Sequence, residues 1–573
     1  MNDKVIVGIT AFNHDSSATL IKNGKVVAFS EEERFNHVKH TGAFPSRAIE
    51  YCLKEAKITS SDITDIAFYF HPRYIFGSYL RNNNPVAYIK DFSLFTRKRY
   101  YFEFISFLDF VNKINTIKKQ AGNTKAKLHF VRHHLAHVWS GYYASGFEDC
   151  LVLSNDSQGE GISSLAMEFK KPKEGIITKE VFKQDDPHSL GYLYGAVTEF
   201  LGFERDEGEG RVMALASFGT GKYQDYFEEG VTLLPQGKFL LNDKLIVNRN
   251  FEIKAQRVSD RFLKTFGSPR KKGEPLEQKH YCVAFGLQSV FEKIVLHQLQ
   301  YLRKYKKVVM TGGTAQNSVL NGKAMNLFPN TEFFVSPIPH DAGCSLGAAV
   351  YIYYQYERGL PQFSDVAFLG PSFSDDEIIG ILKNNQIKHR IIDNPVAYVV
   401  ENIIRNKTVG IFRSRMECGP RALCNRSILA SANTPKMRDH LNNRVKYREF
   451  FRPYGGFIMD KEIERIVKFN NKHKKGPYMS YVFPVKKSWL KKIPSLVHID
   501  NTCRVQIVRS GQDPFLENVL RQFTQRTGVP IIINTSMNVR GFPIARSPID
   551  ALSTFYGSAL DGLLFNEKIL IEK

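Results

Sequence analysis

The sequence predicts an α/β protein of two domains. Three observations carry that expectation. Short strand-like runs alternate with helical ones along the whole chain. Asp- and Gly-bearing turns follow the strands of the N-terminal half. A Pro/Gly/Ser-rich stretch then interrupts the pattern just beyond residue 360. At 573 residues the chain is too long for a single core, which also argues for two domains.

The first elements are sharply written. VIVGIT (5–10) reads as a strand. FNHDSSATLI leads through Asn23-Gly24 into KVVAFSEEE, and an Asn-Gly pair between two β-rich runs marks a hairpin. PSRAIEYCLKEA (45–56) has helical spacing behind a Pro start, and DIAFYF (65–70) is a further strand. Residues 81–120 are aromatic and basic; they read as an insertion that shapes a pocket or as helices packed on the domain. RHHLAHVWSGYYASG (132–146) reads as a helix. CLVLSNDSQGEGISSLAMEF is a strand–turn–strand unit, KKVVMTGGTAQNSVL a strand, Gly-Gly turn and helix start. FFVSPIPHDAGCSLGAAVYIYYQY closes the first domain with a strand, a loop and a small-residue helix. The boundaries that follow are 1–360 and 361–573, with GLPQFSDVAFLGPSFSDDEI as linker or interface crossing. In the second domain TVGIFRS, CRVQIVRS and VPIIINTS are strands and DPFLENVLRQFTQRTG is a helix.

Composition narrows the class. With 43% hydrophobic and 24% charged residues, and no apolar run of spanning length, a soluble, cytoplasmic protein without membrane contact is expected. Seven scattered cysteines without a CxxC read as reduced thiols, neither a disulfide framework nor a zinc ribbon. The net charge of +22 favours anionic ligands, though no basic tail or finger pattern supports general nucleic-acid binding.

Three turns of the first domain have the chemistry to hold phosphate: HDSSA, NDSQGEG and GGTAQN. Their order predicts a nucleotide between two halves of an actin/hexokinase-like fold, with Asp15, Gly159, Gly312, Gly313 and Asn317 as nucleotide contacts; His134, off the face of His133 and His137, is a neighbouring phosphate contact or a packing residue. His133 and His137, four apart, share one face of a helix. Two imidazoles alone are more commonly a packed pair than a metal site. Asp156 and Asp341, each in a loop after a strand, are the carboxylates able to complete a metal site.

In the second domain residues 411–452 hold ten Lys/Arg and three Asp/Glu, interleaved with Gly, Pro and Asn. That pattern suits a pocket for a small, highly charged anion, since a guanidinium forks onto two oxygens at once. A nucleic-acid groove would be written the same way.

Taken together, HHLAHVWSGYYASGF, LSNDSQGEG, GGTAQNSVLNG, PHDAGCSLGAA and GITAFNHDSSATLIKNGKVVAFSEEERFNHVKHTGAFP resemble the carbamoyltransferase family of the NodU and CmcH type. GPRALCNRSIL, VKYREFFRPY, VHIDNTCRVQIV and PIIINTSMNVRGFPIARSPIDAL extend the resemblance over nearly the whole chain. It implies a Kae1-like first domain and a YrdC/Sua5-like second domain. It further implies Fe(II) or a similar divalent metal on His133, His137, Asp156 and Asp341, with Mg as a separate cofactor candidate. His14 falls at the family's transfer position, and Lys39 and His40 in its acceptor segment. In the second domain Arg421, Arg426, Lys446, Arg448 and Arg452, then His498 and Arg504, and Asn534, Ser536 and Asn538 would contact ATP and carbamoyl phosphate.

The implied activity is a two-step O-carbamoyl transfer. Carbamoyl phosphate and ATP form carbamoyl-AMP, and the carbamoyl group then passes to a hydroxyl of a small-molecule acceptor. The charge leaves a phosphorylated or nucleotide-like acceptor open, and a homodimer is a further expectation. Two rivals remain at this level: a tRNA threonylcarbamoyl-type enzyme and a non-catalytic actin-like scaffold. Three positions depart from the family pattern. Cys424 replaces a glycine, YGGFI replaces an apolar run, and Phe542 stands where an acidic residue is common.

Overall fold

The computed structural model describes residues 4–72, 108–246, 257–469 and 478–573. Residues 81–107 of the aromatic, basic segment lie outside them. The chain divides into two compact units. One holds 1–32, 40–316 and 339–364; the other holds 33–39, 317–338 and 365–573. Both are α/β.

The first unit contains two mixed sheets. In the first, β1 (Val5–Thr10), β2 (Ser17–Lys22) and β3 (Lys25–Glu31) form an antiparallel meander. β4 (Asp65–Phe68) and β5 (Lys127–Phe130) add in parallel on the other side of β1, giving the order β3-β2-β1-β4-β5. The hairpin turns at Asn23 and Gly24, whose φ values of 50° and 70° are those of the mirror-image turn that matches strand twist. β1 is buried at every position, as a central strand covered on both faces must be. In the second sheet β6 (Cys150–Gly159) pairs antiparallel with β7 (Ile162–Lys170), which pairs with β8 (Ile177–Asp185). A two-stranded ribbon, β9 (Val231–Leu233) and β10 (Phe239–Leu241), follows. β11 (Lys307–Thr311) then joins β6 in parallel.

The helix His133–Ser145 is buried nearly all round and packs against the helix Gly343–Glu357. Their approach is close because Gly347 has no side chain: a Cβ there would lie 1.7 Å from the Ala136 carbonyl oxygen.

The second unit includes β12 (Glu332–Val335) and a nine-stranded mixed sheet. Its strands are β13 (Arg390–Ile391), β14 (Val409–Phe412), β15 (Arg426–Ala430), β16 (Gly455–Met459), β17 (Tyr481–Pro484), β18 (Thr502–Val508), β19 (Ile531–Ser536), β20 (Gly562–Phe565) and β21 (Ile569–Glu572). They run in the order β13-β21-β20-β14-β15-β19-β16-β18-β17. The helix Pro514–Thr527 is capped by Asp513 and ends at Gly528 with φ 72°, as its sequence predicts. The stretch read as a linker is partly core: Ala367 is buried with Leu423 and Met479, and its carbonyl accepts the Cys418 N–H. All seven cysteines are free and buried. Among the described residues no helix is long and apolar enough to cross a membrane.

Candidate functional site

The first unit gathers four of the expected ligands. His133 and His137 project from the first turns of their helix. Their Nε2 atoms stand 3.0 and 2.9 Å from Asp156 Oδ2 at the bent end of β6, and 3.7 and 3.3 Å from Asp341 Oδ1. All four residues are buried, and one ligand atom from each lies within 4.8 Å of the others. For ligands about 2.1 Å from a shared ion, neighbouring donors fall about 3.0–3.7 Å apart. The spacing therefore fits a single divalent cation. So does the donor chemistry, since imidazole nitrogens together with carboxylate oxygens suit a divalent ion of the Fe(II) type.

Several residues hold this geometry. Phe70 stacks on the His133 ring at 4.8 Å and 10°. Gly159 leaves the ring its room, for a Cβ there would come within 2.4 Å of it. Glu160, at φ 56°, accepts the backbone N–H of His71 and that of His133, and so caps the helix with a carboxylate. Burial pushes its carboxyl up to about 7. Asp156 is held well below the ordinary carboxylate range: burial opposes ionisation, and the hydrogen bonds from His133 and His137 overcome it.

His14 lies beside this group, its Nε2 3.7 Å from Asp341 Oδ2. Its Nδ1 meets Asp15 Oδ2 at 2.9 Å, while Asp15 Oδ1 meets His40 Nδ1 at 2.7 Å. Asp15 thus bridges two imidazoles. Burial works against its charge, but His340, His14 and His40 hold its carboxyl well below the usual range. Lys39 belongs to the other unit, so the expected pair Lys39–His40 is divided.

The nucleotide contacts expected from the turns fare unevenly. Of the two roles open to His134, the contacts are those of a packing residue: Nδ1 faces Ser154 Oγ at 3.2 Å and Nε2 the Ile162 carbonyl at 3.0 Å. Both ring nitrogens are spent within the core, and burial holds the imidazole neutral. Gly159 serves His133 as described. Gly312, at φ 83°, is needed because a Cβ would lie 2.1 Å from Asn155 O. The Gly313 N–H donates to Asp156 Oδ1 at 3.3 Å. Asn317 caps the helix Ser318–Leu327 through Leu320 N–H.

In the second unit the basic residues converge on the sheet. Gly455 of β16 pairs with Arg504 of β18 and with Asn534 of β19, which places these three in one row. The glycines of YGGFI thereby have a reason: a Cβ on Gly455 would come 2.6 Å from Met479 Sδ and 3.2 Å from Arg504 Nε. Arg421 stands on the loop that precedes β15. Lys446, Arg448 and Arg452 lie between the helix Pro435–His440 and β16.

Electrostatics show how closely they gather. Arg504 is driven well below the usual guanidinium range by burial and by Arg421, Arg448 and Arg452. Lys446 is lowered by burial and by Arg448, Arg452 and Lys39. Burial alone brings Arg421 down to about 10 and is the main cause that lowers His498 to about 4. Cations gathered in this way repel one another, and an anion among them would relieve that repulsion.

Other expected contacts have internal roles. Lys446 Nζ donates to Ser536 O at 2.7 Å, Asn538 O at 2.6 Å and Asn538 Oδ1 at 2.5 Å, tying down the turn after β19. Asn534 donates to Gln506 Oε1 at 2.8 Å and the Ala422 carbonyl at 3.1 Å. His498 Nδ1 faces Thr502 Oγ1 at 3.0 Å. Arg426 is a correction. It is fully buried, its guanidinium donates to the carbonyls of Arg413, Asn425, Pro371 and Ser414, and it stacks 3.7 Å above Phe412. It is a framework residue and no anion clamp. Residues passed over in the sequence include Asp15 as a bridge, Phe70, Glu160 and Glu417. Only Glu160 had a signal, its place in the NDSQGEG turn.

Comparison with known proteins gives the family. The Carbamoyltransferase N-terminus family model matches residues 5–350, and the Carbamoyltransferase C-terminus model matches 400–573. Nodulation protein NolNO of Sinorhizobium fredii is 31% identical over 570 residues, covering 98% of this chain and 79% of its own. Nodulation protein U of Rhizobium fredii is 30% identical over 243 residues, 42% of this chain and 40% of its own. Among solved structures, HypF of T. kodakarensis superposes with a TM-score of 0.31 at 13% identity, over 63% of this chain and 49% of its own; that likeness is too distant to bear on function. The family matches and the near full-length relative establish that this chain is a member of the carbamoyltransferase family.

Proposed function

We propose that the enzyme is an ATP-dependent O-carbamoyltransferase working in two steps. The observation that carries this is the cluster of Arg421, Arg448, Arg452, Arg504 and Lys446, in which burial lowers Arg421, and burial with the neighbouring cations lowers Arg504 and Lys446. Carbamoyl phosphate and ATP are both polyanions, and such a cluster neutralises charge as it moves onto the departing pyrophosphate. Carbamoyl phosphate, ATP and one water yield carbamoyl-AMP, pyrophosphate and inorganic phosphate. The product is a mixed anhydride whose AMP is a good leaving group.

Transfer is assigned to the first unit. An acceptor hydroxyl attacks the carbamoyl carbon, the bond to AMP breaks, and the hydroxyl proton passes to His14. Nδ1–H donation to Asp15 leaves Nε2 as the base. A divalent cation, Fe(II) or a similar ion on His133, His137, Asp156 and Asp341, supplies Lewis-acid polarisation when bound. The acceptor is a small molecule bearing a hydroxyl.

Pyrophosphate release from ATP that depends on carbamoyl phosphate tests the reading. Arg421→Ala is expected to lower that release by about a hundredfold, the order of one lost charge-assisted contact in a reacting complex. His14→Ala is expected to keep the release and lose transfer. Release triggered only by bicarbonate with threonine would replace this reading with a threonylcarbamoyl-type activity.

A further inference from the structure

The loop that presents Arg421 is organised by a buried carboxylate. Glu417 is 2% exposed. Its Oε1 accepts three backbone N–H groups: Leu423 at 2.7 Å, Asn425 at 2.8 Å and Arg426 at 2.9 Å. Oε2 is buried and makes no hydrogen bond. One oxygen therefore gathers the donors on the far side of the loop, as a bound anion gathers them in a backbone nest. Three charge-assisted bonds to one acceptor are a strong local constraint.

The near side is fixed separately. Gly419, at φ 87°, packs so closely that a Cβ would lie 2.2 Å from the Pro337 carbonyl, and its own carbonyl accepts from the buried Arg34 at 2.9 Å. Arg421 thus stands between two anchored points. Farther along, Gln506 donates to Leu423 O at 3.3 Å and Asn534 to Ala422 O at 3.1 Å, linking the loop to the strands that carry Arg504 and Asn534.

We infer that Glu417 is a positioning residue: by holding the amides of residues 423, 425 and 426 on one oxygen, it aims Arg421 at the phosphate-bearing substrate of the second unit. The inference rests on the proposed anion-site reading of that unit. Glu417 acts through acceptor geometry. A glutamine, whose amide oxygen takes the same three donors, preserves the role, and an alanine abolishes it.

The test uses the full chain and inorganic pyrophosphate as probe. Isothermal titration gives its affinity, and hydrogen exchange reports the amides of Leu423, Asn425 and Arg426. Glu417→Ala is expected to weaken pyrophosphate by about tenfold or more and to speed exchange at those amides. Glu417→Gln is expected to stay within about threefold of the wild type on both counts. Arg421→Ala, as control, weakens binding and leaves the exchange unchanged. Wild-type affinity in Glu417→Ala overturns the inference, as does a glutamine variant as impaired as the alanine one. A wild type that binds pyrophosphate yet releases none in the carbamoyl phosphate assay refutes the assigned reaction and leaves the positioning role standing. A wild type that binds no pyrophosphate refutes both.

Discussion

Cys424 shows how one backbone angle constrains a side chain. It occupies φ 78° and is completely buried, at the position where the family pattern has glycine. An L-residue there costs about 1–2 kcal/mol. The thiol recovers part of that cost, standing 3.5 Å from Gln506 Oε1 and 3.2 Å from Asn534 Nδ2. Cys424→Gly trades relief of strain against lost packing and is expected to shift stability by no more than about 1 kcal/mol. Cys424→Val places a β-branched residue in the same region and is expected to lose about 2–3 kcal/mol. Denaturant midpoints of the two variants check this; equal losses would show that packing and not backbone angle governs the site. Arg421 and Arg426, five residues apart in one basic block, teach the complementary lesson. One is half-buried among cations and the other is enclosed by carbonyls. Residue type and local spacing are the same for both, so the difference was not legible before the fold was seen.

Among the elements, the helix that carries His133 and His137 was clear in the sequence, and their spacing of four places both on one face. What the helix packs on was not. Gly347 brings the helix Gly343–Glu357 against Ala136, next to His137. Gly8 does the same for β1, where a Cβ would lie 1.9 Å from the Ser345 carbonyl oxygen. Asp341 lies just before that second helix, so its distance to the imidazoles depends on the packing of the pair. Gly347→Ala forces the backbones apart. It is expected to cost about 3 kcal/mol and to reduce bound metal by more than half, since overpacking shifts both ligand-bearing elements. Metal analysis of the purified variant beside its melting temperature decides the matter. Full metal content with a lowered melting temperature would show that ligand geometry does not depend on this contact.

For the whole molecule, the net charge of +22 is the property most easily misread. Its chemically telling part is the cluster in the second unit, where Arg421, Arg448, Arg452, Arg504, Lys446 and Lys39 act on one another. That local concentration fits small polyanions without invoking nucleic acid. The two-step reading also predicts the behaviour of a mixture. Arg421→Ala retains the transfer residues and His14→Ala retains adenylate formation. Combined in one tube, they are expected to restore less than about a tenth of wild-type transfer, because a carbamoyl adenylate released to water hydrolyses. Product formation on mixing measures this, and full restoration would mean that the intermediate travels freely.

By itself the sequence determined the α/β class, the hairpin at Asn23-Gly24, the main strands and helices, the family, and the group of His133, His137, Asp156 and Asp341. These follow from short-range rules of turn chemistry, periodicity and spacing, or from motifs spread over the whole chain. Only the tertiary structure decided that His134 and Arg426 are spent inside the core, that Asp15 joins His14 to His40, and that Glu417 gathers the amides of the Arg421 loop. Each of these depends on which buried donor meets which acceptor, often across long stretches of chain. Burial makes an unpaired polar group costly, and the partner is settled by how the elements pack.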